Sequence, residues 1–189
     1  MTRFSSQHRW IYLFGLALVA IGLPFSKGLI SIGEMVLAAN FLLEGRWKER
    51  IEKFKSDPTI WFFLGLYVLH LISIIWTSDV QEALKELRIK LPLLIFPIVI
   101  PLSQRLKRIE FLSIAAVFSG SVILASIVST HAYFQLKDTP GFNFRDISLF
   151  TSHIRYSLMV CLSYIILLNC AWVEKKKMWL RFVYLVFAL

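Results

Sequence analysis

Apolar residues run through this chain in long blocks, near 10–24, 29–43, 59–76, 91–103, 109–131 and 155–173, with a last one, 178–189, at the end of the sequence. Most approach the roughly 20 residues a helix needs to cross a ~30 Å hydrocarbon core. Inside lipid the backbone must satisfy its own hydrogen bonds, so the blocks are read as helices. The pattern predicts an all-α integral membrane protein with about seven transmembrane helices, forming a single polytopic membrane domain over residues 1–189. The last block offers only 12 residues, Met178 to Leu189. Its helix is therefore expected to be incomplete, and the chain to be the amino-terminal part of a longer protein.

One connecting segment keeps a helical period of its own. From Thr77 to Lys90, either Ser78 with Gln81 or Asp79 with Glu82 fits a capping box. Val80, Ala83, Leu84, Leu87 and Leu91 then share one stripe. This predicts an amphipathic helix near 79–90 that lies on the membrane surface. At the amino terminus, Arg3 and Arg9 precede the first block as in a signal peptide, but Pro24-Phe25-Ser26-Lys27 follows in place of a small-x-small cleavage site. An uncleaved first span is the expectation.

Composition sharpens the class. Hydrophobic residues make up 57% of the 189, against roughly 45–50% in soluble domains, and mean hydropathy is +0.66. The formal net charge of +9 does not point to nucleic acid, because the cations sit in short clusters between apolar blocks. Those clusters set orientation by the positive-inside rule. With a cytoplasmic amino terminus, the inner segments hold Arg3, Arg9, the five cations of 46–55, Arg105, Lys107, Arg108, Lys175, Lys176, Lys177 and Arg181, fourteen of twenty-one. The outer segments hold Lys27, Lys85, Arg88, Lys90, Lys137, Arg145 and Arg155. A cytoplasmic amino terminus follows, with the 79–90 helix on the outer face. Cys161 and Cys170 lie nine residues apart on one helix, so they point to opposite faces and cannot bridge.

Candidate chemistry concentrates in two outer segments. Arg88 and Lys90 flank the apolar stripe of the surface helix, where they either snorkel or contact an anionic headgroup or diphosphate. In the second segment, Thr151-Ser152-His153-Ile154-Arg155 leads into a span with Ser152 as N-cap, which places Arg155 in the first helical turn. A cation there opposes the helix dipole. Its partner is either Asp146 or Asp138, or an external anion held together with Arg145, His153 and the open backbone amides. Two ionisable residues fall within spans: Glu34, seven residues after Lys27 and able to pair with it or a nearby serine, and His70, read as bonded to a neighbouring helix. Ala115, Ala116, Ser119, Gly120, Ser121, Ala125, Ser126 and Ser129 form a small-residue packing face. No metal-ligand cluster, phosphate-binding glycine loop or nucleophile-base pair stands out among the sequence motifs.

Three segments, Leu23-Pro24-Phe25-Ser26-Lys27 with Ile32-Gly33-Glu34, Leu87-Arg88-Ile89-Lys90-Leu91-Pro92-Leu93-Leu94, and Ser152-His153-Ile154-Arg155-Tyr156-Ser157-Leu158, together resemble the amino-terminal half of the O-antigen ligase family. The resemblance covers nearly the whole chain and implies a metal-independent, cofactor-free inverting glycosyltransferase in the bacterial inner membrane. Its implied partners are the lipid bilayer, an undecaprenyl-diphosphate-linked glycan as donor and lipid A-core as acceptor, with no nucleic acid. It also implies that the surface helix is periplasmic and that Arg88, Lys90 and Arg155, with Arg145 and His153, hold the substrate diphosphate. That family's catalytic histidine lies in a large periplasmic loop of the carboxy-terminal half. No catalytic residue is therefore expected in this chain, which alone is expected to be inactive. An O-antigen polymerase would use the same donor, and a secondary transporter or lipid-linked glycan flippase would also need several spans and a buried charge such as Glu34.

Overall fold

The computed structural model describes residues 3–77, 79–136 and 149–173, and every regular element among them is a helix. In chain order these are α1 (Arg3–Phe25), α2 (Lys27–Leu43), α3 (Trp47–Ser56), α4 (Pro58–Ser73) with a 3₁₀ turn at Ile74–Trp76, α5 (Val80–Ile89), α6 (Pro92–Leu102), α7 (Arg108–Leu136) and α8 (His153–Val173). Four stretches are long and apolar enough to cross a membrane, namely Ser6–Phe25, Pro58–Trp76, Arg108–Gln135 and His153–Cys170. A fifth is added if α2 and α3, which meet at a 114° bend, are taken together. The molecule is thus all-helical among its described residues and compatible with a multi-pass membrane protein.

Helix length explains why fewer crossings stand out than the apolar blocks suggest. The block at 91–103 becomes α6, an 11-residue helix that rises only about 16 Å at 1.5 Å per residue. Pro97 and Pro101 lie inside it, and each removes an amide donor from the ladder. The block at 29–43 becomes the 17-residue α2, and 178–189 lies outside the described residues. The cation run 46–55, read from sequence as a connector, is largely the helix α3.

Contacts divide the chain into two compact units, one of residues 1–12 and 34–106, the other of residues 13–33 and 107–189. In the first, α4 starts on Asp57, whose carboxylate accepts from the Thr59 amide at 3.0 Å, with Pro58 in the first turn where its missing N–H costs nothing. α4 packs along α6. The start of α1 is tied to the last turn of α2 by a reciprocal pair: His8 Nδ1 lies 2.7 Å from Asn40 Oδ1, and Asn40 Nδ2 donates to the His8 carbonyl at 3.1 Å. Both residues are buried, where each polar group needs such a partner.

In the second unit, α1 and α2 approach closely at glycines. A Cβ on Gly22 would lie 2.7 Å from the Ile30 amide nitrogen, and one on Gly33 would lie 2.7 Å from Val19 Cγ2. Ala20, Phe118 and Val122 form a buried cluster, and Ile114, Met159 and Ile166 pack onto it from α7 and α8. The small residues of α7 divide by face. Ala115, Ser119, Ala125 and Ser129 are buried at helical spacing as expected, whereas Ala116 and Gly120 point outward. Ser121 and Ser126 each donate to the carbonyl four residues back, so these hydroxyls are satisfied by their own helix. Much of the remaining apolar surface, including Trp10, Phe14, Met35, Phe62, Leu69 and Trp76, is exposed, as befits side chains facing lipid.

Candidate functional site

The first cluster of expected site residues sits at the end of α5. Of the two caps the sequence allows, Asp79 is seen to act, its carboxylate accepting from the Glu82 amide at 3.0 Å. α5 buries none of its residues, so Val80 and Leu84 of its apolar stripe stand exposed, as a surface-lying amphipathic helix requires. Arg88 is exposed in the last turn, where the dipole favours a cation. Lys90 caps the helix, with its Nζ 3.4 Å from Glu86 Oε2. An ion pair this open to solvent contributes at most about 1 kcal/mol.

The second cluster opens α8. The Tyr156 amide donates to the Ser152 carbonyl at 3.0 Å, which puts Ser152 at the N-cap position. Arg155 is therefore the third residue of the helix. The first amides of a helix have no carbonyl within it to bind, and they lie on the same turn as the exposed His153 and Arg155. Two contacts fix this turn. The Tyr156 hydroxyl shares a hydrogen bond with Ser126 Oγ on α7, and Phe150 meets Phe25 edge-on at 5.1 Å. Arg88 and Lys90 belong to the first unit, His153 and Arg155 to the second. Arg145 lies outside the described residues, as do Lys137, Asp138 and Asp146.

A third cluster draws on cations that the sequence reading used only for orientation. Gly45, with φ 85°, turns the chain out of α2, a backbone conformation that side chains other than glycine resist. Arg50 of α3 then folds back into the first unit, only 4% exposed. Its guanidinium stacks 3.9 Å from the Phe41 ring centroid and donates to the Phe41 carbonyl and the Glu44 carboxylate. Burial lowers the Arg50 pKa, Glu44 raises it and Arg46 lowers it, with a net downward shift; arginine nevertheless stays cationic. Glu44 also accepts from Gln104 Nε2 at 3.2 Å, and Gln104 Oε1 accepts from Arg9 at 3.0 Å. Lys53 donates to the Pro101 carbonyl at the end of α6. Arg9, Arg46, Arg50, Lys53 and Arg105, with Glu49 as the one acidic residue, line a cavity of about 390 Å³ in this unit. A spacing signal for Arg46, the N-cap of α3, and for Arg50 and Lys53 within it was present, because 46, 50 and 53 recur at i, i+4 and i+7 and so share a helix face.

The two intramembrane ionisable residues differ in kind. Glu34 is buried and its Oε1 has no hydrogen-bond partner among the described residues, so the expected pairing is not seen at that atom. His70 Nδ1 lies 2.7 Å from the carbonyl of Leu66, four residues back on the same helix. That corrects the expectation of a bond to a neighbouring helix: the ring reaches its own backbone first. Among the described residues no group of three or more His, Cys, Asp or Glu side chains is placed to hold a metal ion, and Cys161 and Cys170 are not joined in a disulfide. No family model, curated protein or solved structure matches this chain.

Proposed function

We propose that this chain belongs to a polytopic glycosyltransferase of the O-antigen ligase type, which moves a glycan from an undecaprenyl-diphosphate-linked donor to lipid A-core at the periplasmic face of the bacterial inner membrane. The observation that supports this reading most is Arg155, exposed in the first turn of α8 beside open backbone amides. A helix start is a ready anion site, and a guanidinium there adds a two-pronged grip on phosphate. Arg88 and Lys90 supply further cations from α5, with His153 and Arg145 as additional members. In the reaction an acceptor hydroxyl attacks the anomeric carbon and the bond from that carbon to the diphosphate oxygen breaks. The hydroxyl proton passes to a base that is not among these residues. Negative charge grows on the departing diphosphate, and fixed cations stabilise that developing charge. An O-antigen polymerase would differ only in its acceptor.

In this reading the chain crosses the membrane about seven times, the four long helices being joined by α2, α6 and the 178–189 block outside the described residues, with the amino terminus in the cytoplasm. Its topology has a direct test. In a background without Cys161 and Cys170, Gln81→Cys on α5 should react with an impermeant thiol reagent in intact spheroplasts and Lys55→Cys on α3 should not. Labelling of the Lys55 position from outside would invert the topology and remove α5 from the periplasm. Function itself is tested by incorporating the full-length protein into proteoliposomes with a labelled lipid-linked glycan and lipid A-core. Appearance of glycosylated acceptor without added metal is expected, and its absence from folded protein would overturn the reading.

The buried, unpartnered Oε1 of Glu34 favours one alternative, a secondary transporter or lipid-linked glycan flippase, since an ionisable group within a span often marks a translocation path. Movement of the labelled donor between leaflets, abolished by Glu34→Gln and unaccompanied by transfer, would favour it.

A further inference from the structure

The charged cavity of the first unit does not stand alone. Consecutive residues of α6 face two different environments: Leu102 lines the cavity, while Pro101 lines an apolar groove of about 490 Å³ between α4 and α6. The groove is lined by Thr59 and Phe63 of α4 and by Phe96, Pro97 and Ile100 of α6. Lys53 marks the junction, because it lines the cavity and donates to the Pro101 carbonyl. A cationic chamber thus opens beside an apolar slot running along two membrane helices.

We propose that this composite site binds an anionic glycerophospholipid, with its phosphodiester in the chamber and one acyl chain in the α4–α6 groove. Charge complementarity fixes the head. Five cations line the chamber, while the carboxylates beside them are Glu49 at the wall and Glu44 behind Arg50. Four of the five are arginines, whose planar forks match phosphate oxygens better than an ammonium does. Arg50 is held from behind by Glu44 and Phe41, so it acts as a preset positive wall. Arg46, half-exposed and now paired with Glu49 and 3.8 Å from Glu44, exchanges that weak surface pair for the phosphate, joined by Arg105 and by the donors Lys53 keeps beyond its bond to Pro101. The groove fixes the tail, since its walls are aromatic, aliphatic and proline side chains that offer an acyl chain dispersion contacts and no polar competition. Basic pockets between membrane helices are a recurrent way of holding anionic headgroups. The site is independent of the glycan-transfer reading and involves neither Arg88 nor Arg155.

The test uses the full chain purified in a non-ionic detergent, with bound lipid counted by native mass spectrometry after exposure to matched phosphatidylglycerol and phosphatidylcholine. Phosphatidylglycerol should be retained in preference to phosphatidylcholine, and an Arg46→Gln/Arg105→Gln double variant should retain about tenfold less or lower still, as expected for lost charge-assisted hydrogen bonds. Ile100→Trp, which fills the groove without touching a charge, should also lower phosphatidylglycerol retention while leaving binding of water-soluble glycerol phosphate unchanged. Equal retention of the two lipids would overturn the proposal, as would undiminished phosphatidylglycerol binding by the double variant at wild-type folded yield. If glycerol phosphate or inorganic phosphate displaces the lipid completely and Ile100→Trp has no effect, the chamber takes a soluble phosphate and the lipid assignment is wrong.

Discussion

Replacing Arg155 by alanine in the full-length protein is expected to lower glycan transfer about a hundredfold or more, the scale seen when one fixed donor to a developing anion is lost. Membrane insertion and protein amount should stay at wild type. The reason for expecting so clean a separation is where the side chain stands. Arg155 is exposed and is the third residue of α8, where a cation opposes the positive helix end by about 0.3–1 kcal/mol. Removing it should therefore cost the fold nothing and relieve a small repulsion. Arg155→Lys should restore activity only in part, because an ammonium cannot grip two phosphate oxygens as a fork. The competing account is a salt bridge to Asp146. On that account Asp146→Ala would be as damaging as Arg155→Ala, and the loss would appear as lowered abundance. Quantitative blotting beside a lipid A-core glycosylation assay separates the two. Wild-type activity in Arg155→Ala at wild-type abundance would end the diphosphate role of this residue.

The largest structural effect is expected from Gly33→Leu, which should reduce folded protein several-fold. A Cβ at this position lies 2.7 Å from Val19 Cγ2, 3.0 Å from the Val19 amide nitrogen and 3.1 Å from the Gly15 carbonyl oxygen. The first neighbour can rotate away, but the other two are backbone atoms of α1 and can yield only if the two helices part. Within lipid no hydrophobic force holds two helices together, and close packing across small residues carries the association. Overpacking such a contact costs about 1–3 kcal/mol even before the rest of the leucine is placed. Gly120→Ala supplies the control: nothing lies within 4 Å of the added carbon, and alanine favours the helix by roughly 0.5–1 kcal/mol. Fluorescence-detected size exclusion after a heating series would compare them. A Gly33→Leu protein with wild-type yield and melting temperature would show that the α1–α2 crossing is not held by this contact.

The parts of the fold legible in the sequence were those governed by one-dimensional pattern. Blocks of apolar residues marked the four long helices, and the alternative capping boxes at Ser78/Gln81 and Asp79/Glu82 marked the start of α5 to within a residue, because both signals are local. The 91–103 block marked α6 almost to its ends. At 11 residues, with Pro97 and Pro101 inside it, that helix nevertheless does not stand out as a crossing by length, because prolines look apolar to a hydropathy reading while they also set where a helix begins and how well it continues. The α3 helix was missed for the opposite reason. Its cations announce a solvent-exposed connector, while Arg50 is in fact drawn inward by Glu44 and the Phe41 ring. That is a tertiary event, for which the only local trace was the spacing of 46, 50 and 53. Likewise, sequence placed Arg155 in a first helical turn correctly, but which of the expected cations stand near one another is a property of packing, and Arg145 falls outside the described residues.

The division of α1 and α2 between the two compact units has a consequence for synthesis on the ribosome. All parts of the first unit have been made once Leu106 is added. The second unit begins earlier, with residues 13–33, but its remainder starts only at Lys107. At about 5–20 residues per second this leaves the Leu13–Gly33 hairpin waiting roughly 4–15 s before even the first residue of that remainder, Lys107, is added. During that interval Ala20 lacks Phe118 and Val122, and what keeps the hairpin closed is the glycine-mediated approach of its own two helices. A defect at Gly22 or Gly33 would accordingly strike while the chain is still being made, before the second unit is complete.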